Sequence, residues 1–279
     1  MAKHSAKKKT KVISIANSKG GSGKSTTVSM LSIALGQLGY KVLAIDCDSQ
    51  MDLTNTMGFT VDETLTEFGL QLIDFNKTIY QAMKNKDDLS NYITPTRYDN
   101  VDIVSGDDYI SKIEYDLHHE FQREFLLKKI STDLIAKNEY DFIIFDTSTY
   151  LGDLSANILN VCDYVIIPVP MAMFGIRGIR TFLDFFNQFS VMNEKLEVLG
   201  ILTTLYKPSN KIMNTRGQGL IENVFGKDML FRTKINLDTS VEKAQWNSIA
   251  VLEFSPKSKA AMQYMDFAKE VVKRVNQKH

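Results

Sequence analysis

The run Lys19-Gly20-Gly21-Ser22-Gly23-Lys24-Ser25 gathers glycines, lysines and hydroxyls at the spacing phosphate chemistry needs. Glycines let the backbone turn so that its N–H groups converge, and a helix starting there adds the positive end of its dipole. In such a loop Lys24 would neutralise the β- and γ-phosphates of a nucleotide, Ser25 would bind Mg2+, and Thr26 would reach the α-phosphate. The general pattern G-x-x-x-x-G-K-[ST] asks for glycine at the place where Ser18 stands. The chain has instead a second lysine, Lys19, ahead of Lys24.

Carboxylates stand at two further places where a nucleotide site needs them. Asp46 and Asp48 close the apolar run Val42-Leu43-Ala44-Ile45, and residues two apart on a strand share a side, so both could face the nucleotide. Asp146 ends Phe142-Ile143-Ile144-Phe145, the pattern of a strand whose terminal acid holds Mg2+ through water. Asp46 has a second reading, as a strand-end acid that only caps the following loop.

These residues need strands to present them. Short β-branched runs recur at Val12–Ala16, Val42–Ile45, Phe142–Phe145, Tyr164–Pro168 and Val198–Leu202, and continuous apolar runs mean strands buried on both faces. Val28, Leu31, Leu35 and Leu38 fall at helical spacing and Gly39 follows as a stop, giving a βαβ unit from Lys11 to Asp46. The fold class expected is α/β, a mostly parallel twisted sheet flanked by helices on both faces. Residues 1–10 read as a basic flexible tail and 11–279 as a single domain. The polar stretch from Asp52 to Asp99 reads as helices and loops decorating the sheet edge. Ala261, Met265, Ala268 and Val272 mark a final helix on the core.

With Lys19 and Lys24 both present, the loop resembles that of the ParA family of plasmid and chromosome partition ATPases, K-G-G-x-G-K-[ST], within the wider group that includes MinD. The resemblance covers nearly the whole chain. Ile45–Gln50 looks like the family's D-x-D-P-Q segment, with Ser49 in place of proline. After Asp146 the chain reads Thr147-Ser148-Thr149 where relatives carry two prolines, and Leu151, Gly152 and Asn157 fit the switch segment that follows. The resemblance implies ATP with Mg2+ as cofactors and an ATP-bound homodimer in which Lys19 acts across the interface. Such a cation, arriving only on dimerisation, neutralises charge developing at the γ-phosphate. It also implies that Asp48 positions the attacking water, that Asp46 lies near the metal shell, and that Ile235 and Asn236 border the adenine. Asn236 replaces a usual proline.

The family's ATP-bound dimers bind double-stranded DNA without sequence preference, and a centromere-binding, ParB-like partner triggers hydrolysis and release. The matching surface here would hold Lys211, Arg216, Arg232, Lys234, Lys257 and Lys259. The long N-terminal extension with a helix-turn-helix found in larger members has no counterpart. The charge distribution fits a polyanion surface and equally fits solvated faces. Net charge is +0, yet Lys207–Lys234 holds six basic residues against two acids, and Lys257–Lys278 again six against two. Asn85–Glu120 carries nine acids against three basic residues, and residues 1–11 five lysines and no acid.

Several classes are disfavoured. No apolar run approaches the roughly 18 residues of a membrane span and the first residues lack a signal peptide's apolar core, so a cytoplasmic protein is expected. The end, Val271 to His279, is poor in the bulky apolar residues of a MinD-like membrane helix. Cys47 and Cys162 lie in apolar runs without C-x-x-C spacing, which reads as two reduced buried thiols and not a cluster-bridging reductase. A non-hydrolysing scaffold on the same fold would have no need of Lys24, Ser25, Asp48 and Asp146. Lys24→Ala is expected to abolish ATP binding, and unchanged affinity in titration calorimetry would remove the phosphate role of this loop.

Overall fold

The computed structural model describes residues 9–170 and 176–278. Its strands are β1 (Lys11–Ile15), β2 (Val42–Cys47), β3 (Phe59–Thr60), β4 (Gln71–Leu72), β5 (Thr94–Pro95), β6 (Val101–Val104), β7 (Phe142–Thr147), β8 (Tyr164–Pro170), β9 (Glu197–Tyr206) and β10 (Leu230–Asn236). The helices are α1 (Lys24–Gln37), α2 (Asp52–Thr56), α3 (Ile79–Asn85), α4 (Ile113–Asp116), α5 (Leu126–Lys137), α6 (Asp153–Val161), α7 (Ile176–Ser190), α8 (Lys211–Phe225), α9 (Thr239–Trp246), α10 (Val251–Phe254) and α11 (Lys259–Gln277).

Eight strands form one sheet in the order β10-β9-β8-β1-β7-β2-β6-β5, parallel except where β5 runs antiparallel to β6. All residues of β1, β2, β7 and β8 are buried, as continuous apolar runs require. The pleat divides them between two cores. Val12, Leu43, Ile45, Ile143, Phe145, Val165 and Ile167 pack with residues of α3, α5, α6 and α7. Ile13, Ile15, Val42, Ala44, Phe142, Ile144 and Ile166 pack on the opposite face with α1, α10 and α11. The same alternation fixes which way a polar residue at a strand end must point. Asp46 and Asp146 therefore share the face of α1, side by side in register on neighbouring strands.

Two expectations need correction. Thr10 does not belong to a tail: it is buried, its N–H donates to Asn138 Oδ1 (2.9 Å) and its hydroxyl to the Tyr140 carbonyl (2.7 Å). Residues 1–8 of the expected tail lie outside the described residues. The Asp52–Asp99 stretch holds more than helices and loops, since β3 and β4 pair into a small parallel sheet and β5 extends the main one. Strands of two residues are too short for any periodicity to show. Finally β6 and β10 join the sheet although neither is an unbroken apolar run, because strands near an edge keep polar members.

Edge strand β10 is held by side chains of α11. Glu270 accepts the backbone N–H groups of Arg232 (2.9 Å) and Thr233 (3.0 Å). Arg274 donates to the carbonyls of Leu199 and Asp228 (both 3.1 Å), pairs with Glu270 (3.2 Å) and lies 4.1 Å from the Phe231 ring centre. A planar fork with several donors suits this role as an ammonium would not. Arg274→Ala is expected to destabilise the protein by about 1–3 kcal/mol through unpaired carbonyls and a lost partner for Glu270, read by urea denaturation.

Candidate functional site

The C-terminal ends of β1, β7 and β2 lie together, with Ile15 opposite Asp146 and Asp146 opposite Asp46. Ligands of open parallel sheets gather at such ends. The chain leaves β1 through Asn17, whose Oδ1 accepts the Lys19 N–H (3.0 Å) and whose amide donates to the Pro168 carbonyl (2.8 Å). Gly21 and Gly23 follow at φ 66° and 85°, the left-handed region that favours glycine. Gly23 leads directly into α1, with no side-chain cap and no acid in the first turn. Thr204, at the end of β9, braces the loop from outside: its hydroxyl donates to the Ser22 carbonyl at 2.9 Å.

Burial sets the electrostatics. Lys24, only 6% exposed at a positive helix end, is pushed below its ordinary pKa by desolvation, and the charges of Asp146 and Asp48 pull it back up. Asp146 is fully buried, and burial followed by the neighbouring Asp46 charge raises its pKa far above the carboxylate range. Ser25 and Lys24 oppose that shift, yet neither Asp146 oxygen has a hydrogen-bond partner within normal geometry. A buried carboxylate without partners is costly unless a cation arrives. Ser25 and Asp146 thus fit a divalent ion.

Asp46 differs. Its Oδ2 accepts both the N–H (2.8 Å) and the hydroxyl (2.6 Å) of Thr54, and its Oδ1 accepts the Asp48 N–H (3.1 Å). Thr54 in turn accepts the Gly106 N–H at 3.0 Å. Both oxygens of Asp46 thus carry hydrogen bonds from the protein, which supports the loop-capping reading. Asp48 lies beyond the end of β2, half-buried on the cleft wall, so it does not share a strand face with Asp46 as the two-residue spacing predicted.

Above the loop opens a cleft of about 940 Å³. Its floor is Gly20 to Thr26, one wall carries Asp48 to Gln50, and another carries Ser148 to Tyr150 with Glu114. Ile235 and Asn236 line the far end beside Leu237, Val241 and Tyr264. Asn236 is tied to Gln263 twice: its backbone N–H donates to Gln263 Oε1 (2.9 Å), and its side-chain Oδ1 accepts from the Gln263 amide (2.8 Å). Gln245 reaches across the cleft and donates to Thr26 Oγ1 (2.9 Å), and the next residue, Trp246, is 91% exposed. Lys19 is half-buried and does not line this cleft. Thr204, Thr54, Gln245 and Glu114 were not singled out by sequence. Only Thr204 carried a signal, as a polar residue at the end of a parallel strand.

The six surface cations do not form one patch on one face. Lys211 and Arg216 lie on α8, and Lys257 and Lys259 lie at the start of α11, on opposite sides of the sheet, with Arg232 and Lys234 on β10 between them. Lys211, Arg216, Arg232, Lys257 and Lys259 are exposed. Lys234 is half-buried, donating to Gln218 Oε1 (3.1 Å) above the Tyr206 ring. In the C-terminal stretch Lys269, Arg274 and Lys278 are paired with Asp266, Glu270 and Glu197.

A glycine loop joining the first strand and first helix of a parallel sheet, over a strand-end carboxylate, defines the class of P-loop ATPases, and this chain has that fold and that site. Its sequence matches the family described as an AAA domain over residues 10–198. It is 28% identical to the sporulation initiation inhibitor protein Soj of Bacillus subtilis over 94% of this chain and 98% of that protein. The chromosome partitioning protein ParA of Caulobacter vibrioides is 24% identical, covering 95% of this chain and 94% of its own. The septum site-determining protein MinD of Pyrococcus horikoshii, solved with Mg-ADP, matches with TM-score 0.72 and 25% identity over 97% of this chain and 99% of its own. The chain belongs to the ParA/MinD family.

Burial pushes the Asp46 carboxyl up to about 6, against the Thr54 bonds that lower it. The folded state thus holds this proton more tightly than the unfolded state, so the contribution of Asp46 to stability is lost as pH rises from about 4 to about 6. Thr54→Val removes a bond that holds the pKa down and leaves the Gly106 N–H unpaired. It is expected to cost about 1–3 kcal/mol, with the larger loss at pH 7.5 than at pH 5 in paired denaturation curves.

Proposed function

We propose that the chain is a partition-type ATPase switch that binds ATP with Mg2+ in this cleft and hydrolyses it to ADP and phosphate. The observation that carries the reading is buried Lys24 close to buried Asp146, whose oxygens lack a well-formed hydrogen bond, at an acid-free helix start. Each group is costly alone, and a metal–polyphosphate satisfies both. Bound through Ser25 and Asp146, the metal would neutralise phosphate charge. The loop N–H groups and Lys24 hold the phosphates, and Asp48 on the cleft wall orients the attacking water.

Lys19 stands outside the cleft of its own subunit, which supports a homodimer in which it meets the partner's nucleotide. The exposed cations around β10 support sequence-independent binding of double-stranded DNA, gated because dimerisation doubles the phosphate contacts. A centromere-binding partner that stimulates hydrolysis would end that state. No described helix is long and apolar enough to cross a membrane. In the last turns of α11, Val271 and Val275 are buried in the core.

Asp48→Ala is expected to bind ATP normally and hydrolyse it at least about 10-fold more slowly, giving a longer-lived DNA complex. The measurement is nucleotide-dependent binding to unrelated DNA duplexes across a salt series, beside a phosphate-release assay. DNA affinity indifferent to nucleotide would overturn the switch, and parental turnover in the variant would overturn the role of Asp48.

A further inference from the structure

The segment after Asp146 lacks the prolines that would stiffen it, and its two ends are fixed in different ways. Upstream, Thr147 is buried and its hydroxyl donates to the Ile15 carbonyl at 3.0 Å. Ser148, Thr149 and Tyr150 then line the cleft, with Tyr150 66% exposed. Downstream, α6 begins after Gly152, which has no side chain to cap it.

The missing cap comes from 40 residues upstream. Glu114 on α4, itself on the cleft wall, accepts the Leu154 N–H at 3.4 Å. Burial raises the Glu114 pKa, while the amides of Leu154 and Asp153 favour its charged form. Its approach is so close that a Cβ added to Gly152 would stand 2.1 Å from Glu114 Oε1. The remainder of α6 is anchored independently. Arg123 pairs with Asp153 at 2.7 Å, and Asn157 joins the Arg123 carbonyl (2.8 Å) to the Leu127 N–H (2.9 Å). Loss of Glu114 would therefore free the Leu154 amide and remove one tie between the first turn of α6 and the cleft wall, while Arg123 still holds Asp153 and the Ser155 hydroxyl still donates to the Tyr150 carbonyl (2.7 Å).

We propose that Glu114 is a positioning residue: by capping α6 across Gly152 it holds the Ser148–Tyr150 wall in place for hydrolysis. This rests on the ATPase reading above. A wall that fixes the nucleophile's surroundings more than the ground-state nucleotide affects kcat and leaves KM nearly unchanged.

Glu114→Ala, Glu114→Gln and Gly152→Ala test it. Glu114→Ala is expected to lower basal kcat about 10-fold or more, with KM for ATP within about twofold. Glu114→Gln keeps an acceptor oxygen and should recover most of the rate. Gly152→Ala displaces both the carboxylate and the Tyr150 ring, which a Cβ would meet at 2.4 Å, and should be at least as slow as Glu114→Ala. Hydrogen exchange at the Leu154 amide of nucleotide-free protein should quicken in Glu114→Ala. Unchanged exchange overturns the cap. Quickened exchange with unchanged kcat, or loss of rate that glutamine does not restore, overturns the positioning role. A parent protein without ATPase activity would instead overturn the functional reading, and the exchange measurement would still decide the cap.

Discussion

Lys24 and Asp146 are buried near one another at the foot of the cleft, close enough for their charges to interact. Their mutual attraction offsets part of the burial cost, but the carboxylate still lacks hydrogen bonds and the lysine sits at the wrong end of a helix dipole. The surroundings keep that arrangement from relaxing. Thr204 braces the loop, Asn17 ties its start to β8, and the close-packed strands beneath fix the carboxylate's direction. A site held in this state favours ligands that bring negative phosphate and a divalent cation together.

The central strands were legible because burial on both faces leaves continuous apolar runs, and the loop was legible because its glycines and lysines are rare in combination. The edges were not. β10 reads Leu-Phe-Arg-Thr-Lys-Ile-Asn, a mixture whose place at the sheet edge is reinforced by the carboxylate of Glu270 and the fork of Arg274. Such ties connect residues far apart in the chain, and no local pattern announces them. Asp46 shows the same limit at the site. Its place at a strand end suggested two roles, and the choice between them depended on Thr54, whose own position no spacing rule specified.

The charge runs teach a related lesson. The acid-rich stretch from Asn85 to Glu120 dissolves into local tasks: Asp88 caps a turn, Asp102 accepts the Tyr140 hydroxyl, Asp107 accepts the Thr78 hydroxyl, Asp116 accepts the Tyr80 hydroxyl and Glu120 pairs with Lys86. Half of the cations from Lys257 to Lys278 are likewise engaged. What remains exposed lies around β10 on both sides of the sheet. Long-range attraction to a polyanion depends on these residual charges more than on the sum over a sequence window.

The bridge from Gln245 to Thr26 has a consequence for how the protein can be observed. Thr26 is the residue expected at the α-phosphate: its oxygen accepts from Gln245 and its proton remains to be donated to a phosphate, so a nucleotide held there would lie beside the end of α9. The neighbouring Trp246 is the chain's one tryptophan. Indole emission responds to changes in solvent contact, and here a solvent-facing indole adjoins a cleft-spanning amide. Any change that a bound nucleotide works on the end of α9 can be read at this single indole, with no dye to attach and no second tryptophan to confuse the signal.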